Sequence, residues 1–118
     1  MENIITINNR FCGPPTSGNG GYVSGRIARF IDGTTTVTLR KPPPLSRSLR
    51  VEETEGKVTL WDGEELIAEA VPGQLELEIP ELPSLEAARD AVSRYDGFRE
   101  HPFETCLVCG SRREEGDG

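Results

Sequence analysis

Asp62-Gly63 separates two stretches in which apolar and polar side chains alternate, "KVTLW" at 57–61 and "EELIAEAV" at 64–71. An Asp-Gly pair tolerates the positive φ of a tight turn, so the dipeptide predicts a β-hairpin and makes the surrounding sheet antiparallel. Two further segments share the period of two: "TTTVTLRK" around Val37 and Leu39, and "SLRVEET" around Leu49 and Val51. "QLELEI" continues the pattern, with Leu75, Leu77 and Ile79 expected inward and Glu76 and Glu78 outward. The run "NIITINN" adds a short first strand with Ile5 and Ile7 on one face. The three prolines of "KPPPLSRSL" cannot lie in a central strand and predict a rigid connection or an edge.

Against this β background the period changes to that of a helix at Tyr22. Val23, Ile27, Phe30 and Ile31 fall on one helical face, with Asn19 as N-cap candidate and Asp32-Gly33 as a stop. A second helical period runs through Leu85, Ala88, Val92 and Tyr95, capped by Ser84 and stopped by Asp96-Gly97. The remainder, "FREHPFETCLVCGSRREEGDG", has no period and reads as a linker or tail. The expected fold class is α+β, with an antiparallel sheet of about five or six strands wrapped around a central helix. A domain over 1–80 would then be followed by a peripheral helix and Cys-containing tail over 81–118. An open sheet of this kind leaves edges, which pairing across a two-fold axis would cover.

The 118 residues, 35% of them hydrophobic, allow one modest core. A net charge of -7 argues against nucleic acid or an anionic membrane as the main partner, because phosphate binding needs clustered cations. Neither a leader sequence nor an apolar run of spanning length is evident, which leads to the expectation of a cytoplasmic protein. Cys12, Cys106 and Cys109 are an odd, sparse set that fits a reducing compartment better than a disulfide framework.

The segments "SGNGGYVSGRIARFI", "VTLRKPPPLSRSLRVE" and "GKVTLWDGEELIAEA", in this order over residues 4 to 79, resemble the hotdog-fold superfamily and its acyl-CoA thioesterase-like members. The likeness extends to long members with two hotdog units in one chain, where a segment similar to "HPFETCLVCGSRREEGDG" introduces the second unit. The resemblance implies a homodimer or pairing with a second hotdog unit, an acyl-CoA or related thioester as ligand, and no cofactor. It also implies that the thioester carbonyl would sit at the amino end of the central helix, where free N–H groups stabilise an oxyanion. On that basis Asn19 is the candidate catalytic residue, in the place of the histidine of a His-Gly-Gly version. Gly20, Gly21, Tyr22 and Arg26 are the candidate substrate-binding residues.

The residues themselves leave alternatives open. Asn19 serves equally as a helix cap, and the glycines equally allow close packing against the sheet. The acid that activates water in the His-Gly-Gly enzymes falls on Ala28, so a non-catalytic acyl/CoA-binding or structural subunit is the alternative function. Arg26, Arg29, Arg40 and Lys41 suit CoA phosphates, or pair with the many glutamates. Ser24 lacks an evident base, since the sole histidine, His101, is in the tail. Cys106 and Cys109 have the spacing of half a zinc knuckle without a second half. Completion by Cys12 and His101, completion by a second chain, redox chemistry, or a simple turn at a domain junction all remain open, and no metal ligand is assigned.

Overall fold

A computed structural model describes residues 3–118; Met1 and Glu2, the start of the domain expected over 1–80, lie outside the described residues. The chain is α+β. Strand β1 covers Asn3–Thr6, helix α1 Gly20–Ala28, β2 Thr35–Leu39, β3 Ser48–Thr54, β4 Lys57–Asp62, β5 Glu65–Pro72 and helix α2 Leu85–Val92. Single turns of 3-10 helix occur at Asn9–Phe11 and Asp96–Phe98. The five strands form one antiparallel sheet in the order β1-β3-β4-β5-β2, so α1 connects the two edge strands.

The hairpin at Asp62-Gly63 forms with Asp62 paired to Glu65, which makes Gly63 and Glu64 the two loop residues. Gly63 takes φ 59°, so the glycine supplies the positive φ at the first loop position, as in a II′ turn. Register then follows the apolar alternation. Val51 lies opposite Leu60 and Leu60 opposite Ala68, while Val58 faces Ala70 and Ala70 faces Val37. Between Leu60 and Trp61 the register slips, because Ala68 pairs with Leu60 but Leu66 with Trp61. Ile67 is the extra residue of that bulge, and its carbonyl accepts from the N–H groups of both Arg40 (2.7 Å) and Lys41 (3.2 Å).

Helix α1 packs against β2, β4 and β5. Val23 and Ile27, one turn apart, are fully buried with Ile7, Leu49, Leu60 and Ile67. Burial of each such side chain contributes about 1.5–3 kcal/mol. The helix is shorter than its apolar period. After Ala28 the hydrogen bonds tighten, Phe30 N–H to the Ile27 carbonyl and Ile31 N–H to Ala28, and Gly33 at φ 84° reverses the chain into β2. Phe30 and Ile31 still pack on the core, from this turn rather than from the helix.

Two expectations need correction. "QLELEI" is not a strand: residues 73–84 have no sheet partner, and Leu75 (77%), Leu77 (72%) and Ile79 (82%) are exposed rather than inward. Alternation supplies a face but no partner, and edge strand β2 has already filled the side of β5 where a sixth strand would pair. Leu39 is also exposed, because β2 is an edge strand and its last residue lies at the margin of the helix-covered face. The expected cap of α2 is present, with Ser84 Oγ accepting from Ala87 N–H at 3.1 Å, and the helix is exposed on every side. The proline connection lies against the entry to α1: the Pro43 carbonyl accepts from Gly18 N–H at 2.8 Å, and Pro44 bridges to Ser17.

Candidate functional site at the N-terminus of α1

The residues "GPPTSGN" fold into a small closed loop that delivers the chain to α1. Gly13 N–H donates to the Ser17 carbonyl (3.0 Å) and Ser17 N–H to Pro14 (3.1 Å), while Cys12 bridges to Gly18. Asn19 N–H then donates to the Phe11 carbonyl at 2.8 Å, which holds the cap residue against the preceding 3-10 turn. Asn19 has extended backbone (φ -60°, ψ 127°), and its Oδ1 accepts from Tyr22 N–H at 3.0 Å. This is an N-cap, so one of the three candidate donors, the Tyr22 N–H, is already used. Among the described residues the N–H groups of Gly20 and Gly21 have no protein acceptor, and they remain the polar end of the helix.

The two glycines differ. A Cβ at Gly20 would come within 3.0 Å of Leu39 Cδ1, so absence of a side chain there lets the helix approach β2. At Gly21 the nearest atom would be Asn19 Oδ1 at 3.5 Å, an ordinary contact, and the position is exposed. The Tyr22 ring stacks on Phe11, centroids 4.1 Å apart and planes within 10°. Its hydroxyl accepts from Arg26 Nη1 at 3.2 Å.

Asn19, Gly20, Gly21 and Tyr22 are therefore together, and Arg26, one turn further on, joins them only through the Tyr22 hydroxyl. It also reaches the Thr6 carbonyl (3.5 Å) and lines a cavity of about 250 Å³ with Ile5, Arg29 and Phe30. A larger cavity, about 500 Å³, lies in the tail between Asp96, Arg99, Glu100, His101 and Pro102. Arg40 and Lys41 are engaged by glutamates: Arg40 Nε lies 2.7 Å from Glu69 Oε2 and Lys41 Nζ 2.7 Å from Glu65 Oε1. His101 Nδ1 accepts from Phe103 N–H at 2.9 Å, shaping a turn of the tail.

The tail returns to the helix, which local spacing did not reveal. Leu107 N–H donates to the Cys12 carbonyl at 2.8 Å, and Cys12 Sγ donates to the Thr105 carbonyl at 3.2 Å. Cys106 is thereby buried beside the cap, where its sulfur accepts from Asn19 Nδ2 at 3.7 Å. Both ends of the Asn19 amide are thus occupied. Burial pushes the Cys106 thiol up, but N–H groups of Cys109 and Val108, the Cys109 thiol and the Asn19 amide outweigh it and hold the group below its ordinary value. The Cys109 thiol is pushed up, chiefly because it donates to the Cys106 sulfur. Cys12, Cys106 and Cys109 are all free thiols. Among the described residues no three His, Cys, Asp or Glu side chains converge as metal ligands, so Cys12 and His101 do not complete a site with Cys106 and Cys109.

Compared with protein families, curated proteins and solved structures, the chain matches none. No helix among the described residues is long and apolar enough to cross a membrane. Of the site, the cap and the glycines were readable from the sequence. Cys106 is legible in the sequence only as half of a Cys-x-x-Cys pair, because nothing in a spacing of three residues says which distant helix the pair will meet.

Proposed function

We propose that the chain is a hotdog-type, thioesterase-like domain that binds an acyl thioester such as an acyl-CoA at the N-terminus of α1. The observation that carries this reading is the pair of unaccepted N–H groups, Gly20 and Gly21, at the positive end of a helix packed on an antiparallel sheet. Donors fixed in this way stabilise charge developing on a carbonyl oxygen, because they need no reorganisation when the charge forms. The placement of α1 between the edge strands of a five-stranded sheet supports the hotdog assignment. Arg26 and Arg29, which line one cavity, supply cations for the phosphates of a CoA. Hydrolysis in this reading is direct attack of water on the held carbonyl, with the Asn19 amide orienting the reactants.

A non-catalytic binding subunit is the second reading, and two observations favour it. Ala28 stands where the resemblance expects the acid, and each end of the Asn19 amide already holds one protein partner, Tyr22 or Cys106. The domain's partner in either reading is a second copy or a second hotdog unit, and its setting is the cytoplasm.

A panel of acyl-CoAs tested for binding and for turnover separates these readings. Gly20→Pro deletes one donor at the first helical position, where proline is tolerated and the extended Asn19 suits a following proline, and Gly20→Ala, which keeps the donor and crowds Leu39 in the same way, is the control. With helix content retained by circular dichroism, turnover should drop by about a hundredfold if the enzyme reading holds. Binding without turnover, weakened by the same substitution, selects the subunit. Absence of both in the unsubstituted protein removes the acyl-thioester reading altogether.

A further inference from the structure

Neither thiol of the Cys106, Cys109 pair takes part in the function proposed above, yet the fold builds a dedicated turn around them. Gly110 N–H donates to the Cys106 carbonyl at 3.0 Å, closing a single turn that includes both cysteines. Gly110 is required by space: a Cβ there would collide with the Glu104 carbonyl and stand 2.5 Å from the Cys106 carbonyl oxygen. The turn is anchored on the domain through the Leu107 to Cys12 bond and through Asn19.

The two sulfurs are not equivalent. Cys106 is 6% exposed, buried against the helix cap, whereas Cys109 is open to solvent. A structural metal centre asks for four converging donors, and among the described residues no three of the relevant kinds meet. An adjacent pair with one exposed thiol and one sulfur held by hydrogen-bond donors is instead suited to thiol exchange.

We propose that Cys106 and Cys109 are a reversible dithiol/disulfide pair that exchanges with small-molecule disulfides, Cys109 meeting the oxidant and Cys106 closing the ring. Cys109 loses its proton to solvent, and its thiolate attacks one sulfur of R–S–S–R, breaking that bond and releasing RS⁻. Cys106 then gives up its own proton to solvent and its thiolate attacks Cys109 Sγ in the mixed disulfide, forming the Cys106–Cys109 bond and expelling the second RS⁻. Two electrons pass from the protein sulfurs to the small disulfide, which leaves as two thiols after taking up the two protons. Excess small thiol drives the same steps in reverse. Cys12 has no part in the exchange, being buried with its thiol on the Thr105 carbonyl.

The test uses the full chain, purified without chelator and incubated with oxidised glutathione, then alkylated under denaturing conditions and weighed by mass spectrometry. The expected product has lost alkylation at Cys106 and Cys109 only, carries no glutathione, and regains both sites after dithiothreitol. Cys106→Ser should stop at a stable glutathione adduct on Cys109, and Cys109→Ser should stay reduced over the same interval, both with unchanged circular dichroism. The proposal is overturned if the unsubstituted protein stops at the mixed disulfide or keeps both thiols. It is equally overturned if Cys109→Ser reacts as fast as the unsubstituted chain, or if metal analysis finds stoichiometric zinc that is released as the thiols are lost.

Discussion

Asn19 joins the first turn of α1 to the tail. Its oxygen caps the helix and its nitrogen holds the Cys106 sulfur, so one side chain satisfies a helix donor and helps hold a buried thiol below its ordinary value. Removing both functions with Asn19→Ala should lower stability by about 1 kcal/mol, the usual worth of a cap, measured by urea denaturation. Asn19→Asp should behave differently. The carboxylate keeps the acceptor for Tyr22 N–H and suits the helix dipole, but sets a like charge beside the Cys106 sulfur and removes its amide donor. Stability should be largely retained while the Cys106 thiol moves up, a shift readable from ultraviolet thiolate absorbance against pH. At this scale the sequence was informative about the cap, because capping depends on neighbours in the chain, and silent about the sulfur, because that contact joins residues 87 positions apart.

The edge strand β2 is held to the sheet by charges as well as by its ladder. Glu69 of β5 pairs with Arg40, just beyond β2, and with Lys57 of β4, so one carboxylate ties three neighbouring strands. Hydrogen bonds from Lys57 and then Arg40 hold its carboxyl below the ordinary glutamate value of 4.5. A folded-state value below the unfolded one means that the group stabilises the fold above the unfolded value. That contribution is lost as the pH falls through the folded value. Glu69→Gln should therefore lower the urea midpoint modestly near neutral pH, with the difference from the unsubstituted chain closing once the pH has fallen well below 4.5. A difference that persisted undiminished into acid would assign the role of Glu69 to packing. The strands themselves were legible because Val51, Leu60 and Ala68 alternate with polar residues. The Ile67 bulge was not, since an extra residue in β5 is visible only against its partner β4.

Across the molecule, apolar surface remains in the open after the core is complete. Leu75, Leu77, Ile79 and Leu82 are each more than 70% exposed in a segment that leaves the sheet at Pro72, and Leu85 of α2 follows them. Edge strands β1 and β2 add unpaired backbone on their outer sides. In the proposed pairing of two hotdog units this surface is covered, so sedimentation equilibrium should find a dimer. Replacing Leu75, Leu77 and Ile79 together by serine should shift it toward monomer without loss of sheet signal. A monomer from the unsubstituted chain would refute the homodimer. The exchange proposed for Cys106 and Cys109 belongs to this scale too, since the tail must remain folded on Cys12 and Asn19 for the pair to stay anchored.

Sequence alone determined the α+β class, the hairpin at Gly63, the capped start of α1 at Asn19 and most of the buried face. Each of these follows from residues within a few positions of one another, through turn φ, cap geometry or apolar period. Tertiary structure alone decided that Leu75, Leu77 and Ile79 find no strand to pair with, that Arg26 reaches the Thr6 carbonyl of β1, and that Cys106 comes to rest on the cap of α1. The physical reason is common to all three: a period records which side chains share a face, whereas what covers that face depends on distant segments competing for it.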